Sequence, residues 1–139
     1  MGRVVNTNNP GKIRNQLRRT GAEILRQLSQ KSAIDEESKD MISHLVFCLR
    51  EIDDGIEASA EAWEKRDYWI KAEQLRQRWA WTGSAAARLE RIVRQDDWEL
   101  LPTVMVELFE RFADVKVTKF TRKPDEWSGA YARLLDERA

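Results

Sequence analysis

The sequence predicts an all-α protein: an up-and-down antiparallel bundle of three long helices and a shorter fourth, followed by an extended strap and a short C-terminal helix. Three observations lead there. Apolar residues recur at three- and four-residue spacing through long stretches, which is the period of one helix face and not the alternation of a strand. Only 6 glycines and 3 prolines punctuate the 139 residues, too few for the frequent turns of a β fold. Charged residues make up 35% of the chain, enough to clothe the outer faces of long helices. A chain of this size buries roughly two thirds of its unfolded surface as one unit, so residues 1–139 are expected to form a single helical-bundle domain.

Residues 1–8 are polar and expected to be flexible. Asn9-Pro10 then reads as a helix start, with Asn9 as N-cap and Pro10 at the first helical position, where its missing N–H is no loss. The first helix should run over about 9–31, with Ile13, Leu17, Ile24 and Leu28 on its inner face and Gly21 completing it. Asp35-Glu36-Glu37 is the acidic first turn that a helix N-terminus favours, and the stripe Met41, Leu45, Cys48/Leu49, Ile52, Ile56, Ala60, Trp63 carries the second helix to Lys65-Arg66. No glycine or proline marks the next joint. One rod of some 60 residues would leave its apolar stripe unburied, so a tight hairpin is predicted there, with Asp67 capping a third helix over 68–95. Trp69, Ala72, Leu75, Trp79, Gly83, Ala86, Leu89 and Val93 form its inner face. A shorter fourth helix over 96–112 tolerates Pro102 only in its first turns. Val115 to Phe120 alternates apolar and polar residues without a partner strand, so 113–124 is expected to be an extended connector. A last helix over 125–137 places Trp127, Ala130, Tyr131 and Leu134 inward.

Charge is segregated along the chain. Residues 1–31 carry a net +6, 32–64 −8, 65–95 +5, 96–114 −5 and 115–139 +2, and the total is zero. Adjacent antiparallel helices of opposite sign attract, and since each exposed pair contributes only about 0.2–1 kcal/mol, the pattern selects neighbours more than it adds stability.

Few residues suggest chemistry. Asp54, Glu57, Glu61 and Glu64 share one helix face, but a carboxylate-bridged metal centre in a bundle needs Glu-x-x-His pairs, and the chain has one histidine. The face is expected to oppose Arg or Lys of the next helix, with no metal. His44 and Cys48 lie one turn apart in an apolar run without an orienting acid, so neither is assigned to catalysis. No glycine-rich phosphate loop is present, and no cofactor is expected. A lone cysteine and the lack of any signal-peptide or membrane-spanning apolar run favour a cytoplasmic location with no membrane partner.

The small-residue sets Gly21-Ala22, Gly55, Ala58-Ser59-Ala60 and Gly83 to Ala87 are expected to permit close helix approach and not to line a ligand cavity. Six tryptophans exceed what one small core needs, and Trp is favoured as an interface anchor. The expected function is therefore a non-enzymatic interaction or assembly module of a cytoplasmic, bacterial-type protein system, pairing with itself as a homo-oligomer or with another protein. Trp81, Trp98 and Trp127 are its candidate contacts. Trp63, Trp69 and Trp79 fit the core stripe, whereas Trp81 lies about 200° around the helix from Trp79 and should face another helix or a partner. The alternative is a nucleic-acid-binding helical subunit of a ribonucleoprotein complex, using Arg14, Arg18 and Arg19 near the amino end and Lys116, Lys119, Arg122 and Lys123 around Phe120.

Overall fold

A computed structural model describes residues 9–137; the expectation for residues 1–8 lies outside them. Five α-helices form in chain order: α1 (Pro10–Ser29), α2 (Glu36–Lys65), α3 (Trp69–Gln95), α4 (Leu101–Arg111) and α5 (Ala130–Asp136). No strand occurs among the described residues.

Local chemistry accounts for the boundaries. The Asn9 side chain accepts the N–H of Lys12 at 3.1 Å, and Pro10 opens α1. That helix ends two residues before the expected boundary in a turn closed by the N–H groups of Gln30 and Lys31, and the Lys31 side chain pairs with Asp35 and Glu37 at 3.0 and 3.2 Å. Asp35 caps α2 by accepting both the N–H and the hydroxyl of Ser38, at 2.8 and 2.7 Å. The joint after α2 is a tight hairpin, but Asp67 is not the cap of α3. It adopts the left-handed conformation at φ 66°, while the Tyr68 N–H reaches back to Trp63 O and the Asp67 N–H to Glu64 O, both at 2.9 Å. This is a Schellman ending, which satisfies two carbonyls that the last turn leaves without helical partners.

The same device closes α3. Asp96 has φ 59°, and the Asp97 N–H donates to Ile92 O at 3.0 Å. Asp96 is thereby excluded from the fourth helix, which opens later than expected, with a 3-10 turn over Trp98–Leu100 before α4. The last helix is also shorter than expected. A 3-10 turn over Pro124–Glu126 precedes Gly129, whose φ of 81° interrupts the path, and only then does α5 begin.

α2 is the central element, packed against α1, α3 and α5, and α4 lies against both α3 and α1. Ile24 and Leu25 of α1, Met41, Leu45 and Leu49 of α2, Leu89 of α3, Leu108 of α4 and Leu134 of α5 meet in one core. The charge segregation appears as cross-helix pairs: Arg76 of α3 binds Glu57 and Glu64 of α2, Arg50 binds Glu90 at 2.7 Å, and Arg88 of α3 binds Glu107 of α4. Gly83 and Gly21 allow close approach, since a Cβ at either would lie 2.9 Å from Asp53 Oδ2 or 3.0 Å from the Phe112 ring.

The strap after α4 is anchored by a buried acid. Glu23 is fully buried and accepts the N–H groups of Thr121 and Arg122 at 2.7 and 2.8 Å, the Thr121 hydroxyl at 2.6 Å and Arg19 Nε at 2.7 Å. Burial alone would raise its pKa, but these donors overcome that and hold the carboxyl at about 2.

Candidate functional site

Helix length decides what protrudes. The 30 residues of α2 span about 45 Å and the 11 of α4 about 16 Å. The far end of α4 reaches Arg78 and Trp81, as the cleft lined jointly by these helices shows. The first two turns of α3 therefore extend past α4 as the tip of the α2–α3 hairpin. Trp63 and Tyr68 meet edge to face there at 5.5 Å, with Arg66 and Lys71 over both rings. That cluster and the Schellman turn shape the joint, and directly after it, in the first turn of α3, Trp69 and Ile70 stand 60% and 74% exposed. Trp69 is thus no core residue. Ala72, one turn further along the same predicted face, is fully buried, as are Ala86, Leu89 and Val93, so the phase of the stripe holds and Trp69 is exposed at its outer end. Beside the tip, Pro10, Ile13 and Leu17 of α1 face Gly55, Ala58 and Ala62 of α2 across an apolar recess of about 340 Å³.

A second surface lies where α3 and α4 meet the start of α1. Trp79 and Trp81 stack at 6.2 Å, and Trp81 meets Phe112 edge-on at 5.7 Å. Trp81 therefore faces another helix, and it is partly buried against the core. Guanidinium groups of Arg14, Arg18 and Arg78 lie 5.2, 5.5 and 5.9 Å from the Trp79 ring centre, and Arg111 lies 5.3 Å from that of Trp81. Arg18 pairs with Asp114 at 2.7 Å. Among the described residues, Arg14, Arg78 and Arg111 have no carboxylate in ion-pair contact. Burial, then the charges of Arg78 and Arg18, lower the pKa of Arg14.

No protein-family model, curated protein or solved structure matches this chain.

The remaining candidates divide by role. Trp127 is only 1% exposed, and its Nε1 donates to Glu37 at 3.3 Å. It is a core residue and offers no contact surface. Trp98 is half-buried, donating to Asp96 Oδ1 at 2.6 Å beneath Lys39. Of the basic residues, Arg19 donates to Glu23 and to the carbonyls of Lys116 and Lys119, and Arg122 donates to Thr20 and Gln16. These two staple the strap to α1, whereas Lys116, Lys119 and Lys123 are exposed.

His44 and Cys48 stay apart from any site. Burial, above all, pushes the Cys48 thiol up to about 12, the opposite of what a nucleophile needs. Burial likewise lowers the His44 pKa. Among the described residues, no group of three or more His, Cys, Asp and Glu is arranged to hold a metal ion, and no helix is long and apolar enough to cross a membrane.

Two features escaped sequence reasoning. Glu23 lies on the inner face of α1 among apolar residues, and that misplacement of an acid was the signal. The exposed Trp69-Ile70 pair opens α3 directly after the joint, at the outer end of a stripe whose periodicity does not say where its cover stops.

Proposed function

We propose that this chain is a non-enzymatic assembly module that pairs with a second copy of itself through the tip of the α2–α3 hairpin. The observation that carries this reading is the exposure of Trp69 and Ile70, adjacent in the first turn of α3 behind a hydrogen-bonded Schellman turn. Burying such a side chain is favourable by roughly 1.5–3 kcal/mol, and a helical turn already formed loses little entropy when it docks. The apolar recess between α1 and α2 lies at the same end of the molecule and includes Ala62, one residue before Trp63. A two-fold pair that seats each tip in the partner's recess uses the bulky and the small residues twice over and closes on itself, so that no filament follows.

Sedimentation velocity over a range of concentrations tests the reading. The wild-type chain is expected to form a dimer that dissociates on dilution, and Trp69→Ser with Ile70→Ser to give a monomer with unchanged helical circular dichroism. A wild-type chain that stays monomeric at every concentration, or a dimer indifferent to both substitutions, would overturn it.

A further inference from the structure

We propose that the cleft between α3 and α4 is a nucleotide-binding site, in which Trp81 carries the base and Arg78 with Arg111 holds the phosphate. The cleft has a volume of about 410 Å³ and adjoins a second lobe of about 330 Å³ that shares Arg78, Trp81 and Arg111. This is the size of ordinary small-ligand sites. An ion pair closes each end: Arg88 with Glu107 on one side, Arg18 with Asp114 on the other. Between those pairs, Arg78 and Arg111 project from the α3 and α4 walls, and among the described residues neither is in ion-pair contact with a carboxylate, although Asp114 and Glu107 lie near enough to feel their charges.

Charge crowding is what calls for an anion. Three guanidinium groups surround the single Trp79 ring, and among the described residues only Arg18 of the three has an ion-pair partner. Of the three, Arg78 also lines both lobes of the cleft, and an anion bound there beside Arg111 converts repulsion into charge-assisted hydrogen bonds. The planar fork of arginine matches a phosphate in two parallel bonds. Glu110, which lines the α1 end without an ion-pair partner, repels an anion there and leaves the middle of the cleft as the phosphate position. The π surface is what favours a nucleotide over simple phosphate. Trp81 lines both lobes, with Arg111 over its ring, and an indole combined with arginines is how bases are held without sequence preference. None of these residues belongs to the hairpin tip, so this site and self-pairing stand or fall separately.

Tryptophan fluorescence of the full chain, titrated at low salt with AMP, with a short oligo(dA) and with inorganic polyphosphate, tests the assignment. Nucleotide binding is expected to quench the emission, and Arg78→Gln with Arg111→Gln to weaken it by at least about tenfold. Both arginines are exposed, so melting should be unchanged, and Arg26→Gln on the far part of α1 should bind as the wild type does. Tighter binding of oligo(dA) than of AMP supports the site and assigns it to single strands; equal binding supports it and assigns it to free nucleotides. Absence of quenching by either, polyphosphate binding as tightly as oligo(dA), or binding indifferent to the arginine pair would overturn it.

Discussion

The Glu23 carboxylate accepts the backbone N–H of Thr121, 98 residues later in the chain, at 2.7 Å. One buried charge on α1 thus fixes a segment without regular structure, and the cost of burying it is offset by four donors. The folded-state pKa lies near 2, below the ordinary value of 4.5. A depressed carboxyl stabilises the fold fully above its unfolded pKa and loses that contribution as pH falls through the folded one. The difference corresponds to about 3 kcal/mol. Glu23→Gln, which replaces an acceptor with an amide that also presents donors to donors, should lower stability by about 2–3 kcal/mol at neutral pH. The gap between variant and wild type in urea unfolding should shrink as pH drops from about 4.5 to about 2. A gap that stays constant across that range would mean that the strap is held by something else.

Trp127 distinguishes core from contact. Its ring is buried and its Nε1 reaches Glu37, so Trp127→Ala should destabilise by about 3–5 kcal/mol through cavity formation. Trp127→Phe should lose less. If the residue were instead a docking anchor, Trp127→Ala would leave the thermal midpoint unchanged and affect association alone.

Long-range order in this fold was legible wherever one period persisted. The stripes of α1, α2 and the later part of α3 buried Ile24, Leu45, Leu49 and Leu89 as their spacing implied, and the alternation of net charge became the Arg76, Arg50 and Arg88 bridges. What could not be read was where the stripe of α3 stops being covered. An aspartate at positive φ does the work that glycine usually signals, and directly after that turn Trp69 is exposed although Ala72, one turn on, is buried. The strap was equally opaque. Arg19 and Arg122 look like a nucleic-acid cluster when only their charges are counted, yet Arg19 donates to the carbonyls of Lys116 and Lys119 and the Arg122 guanidinium to Thr20 and Gln16, each about 100 residues away. The pairing of Trp79 with the arginines of α1 depends on how three helices converge, which no local pattern encodes.

The glycines of α1 and α2 should respond to alanine with opposite sign. At Gly55 a Cβ meets nothing within 4 Å, so Gly55→Ala removes the entropic penalty of glycine in a helix and should stabilise by roughly 0.5–1 kcal/mol. At Gly21 the added methyl lies 3.0 Å from the Phe112 ring and 3.3 Å from Leu45. Overpacking there should destabilise by about 1–3 kcal/mol. Thermal melts of the two variants measure both, and an equal response would contradict the packing of Phe112 against α1.

The two Schellman aspartates provide an internal comparison. Asp67 and Asp96 both sit at positive φ, 66° and 59°, where a side chain is strained and glycine is not. Among the described residues Asp67 has no side-chain hydrogen bond that a glycine would forfeit, so Asp67→Gly should raise stability by about 0.5–1 kcal/mol. Asp96 differs because its Oδ1 accepts the Trp98 indole N–H at 2.6 Å. In Asp96→Gly the relief of strain is opposed by loss of that bond, a net contribution of about 1 kcal/mol, and the change should be close to zero. Asp96→Asn keeps both the tolerated conformation and an acceptor, and should match the wild type. Urea unfolding of the three variants orders them as Asp67→Gly above wild type, with both Asp96 variants near it. A gain at position 96 as large as that at 67 would show that the Trp98 bond does not hold the turn between α3 and α4.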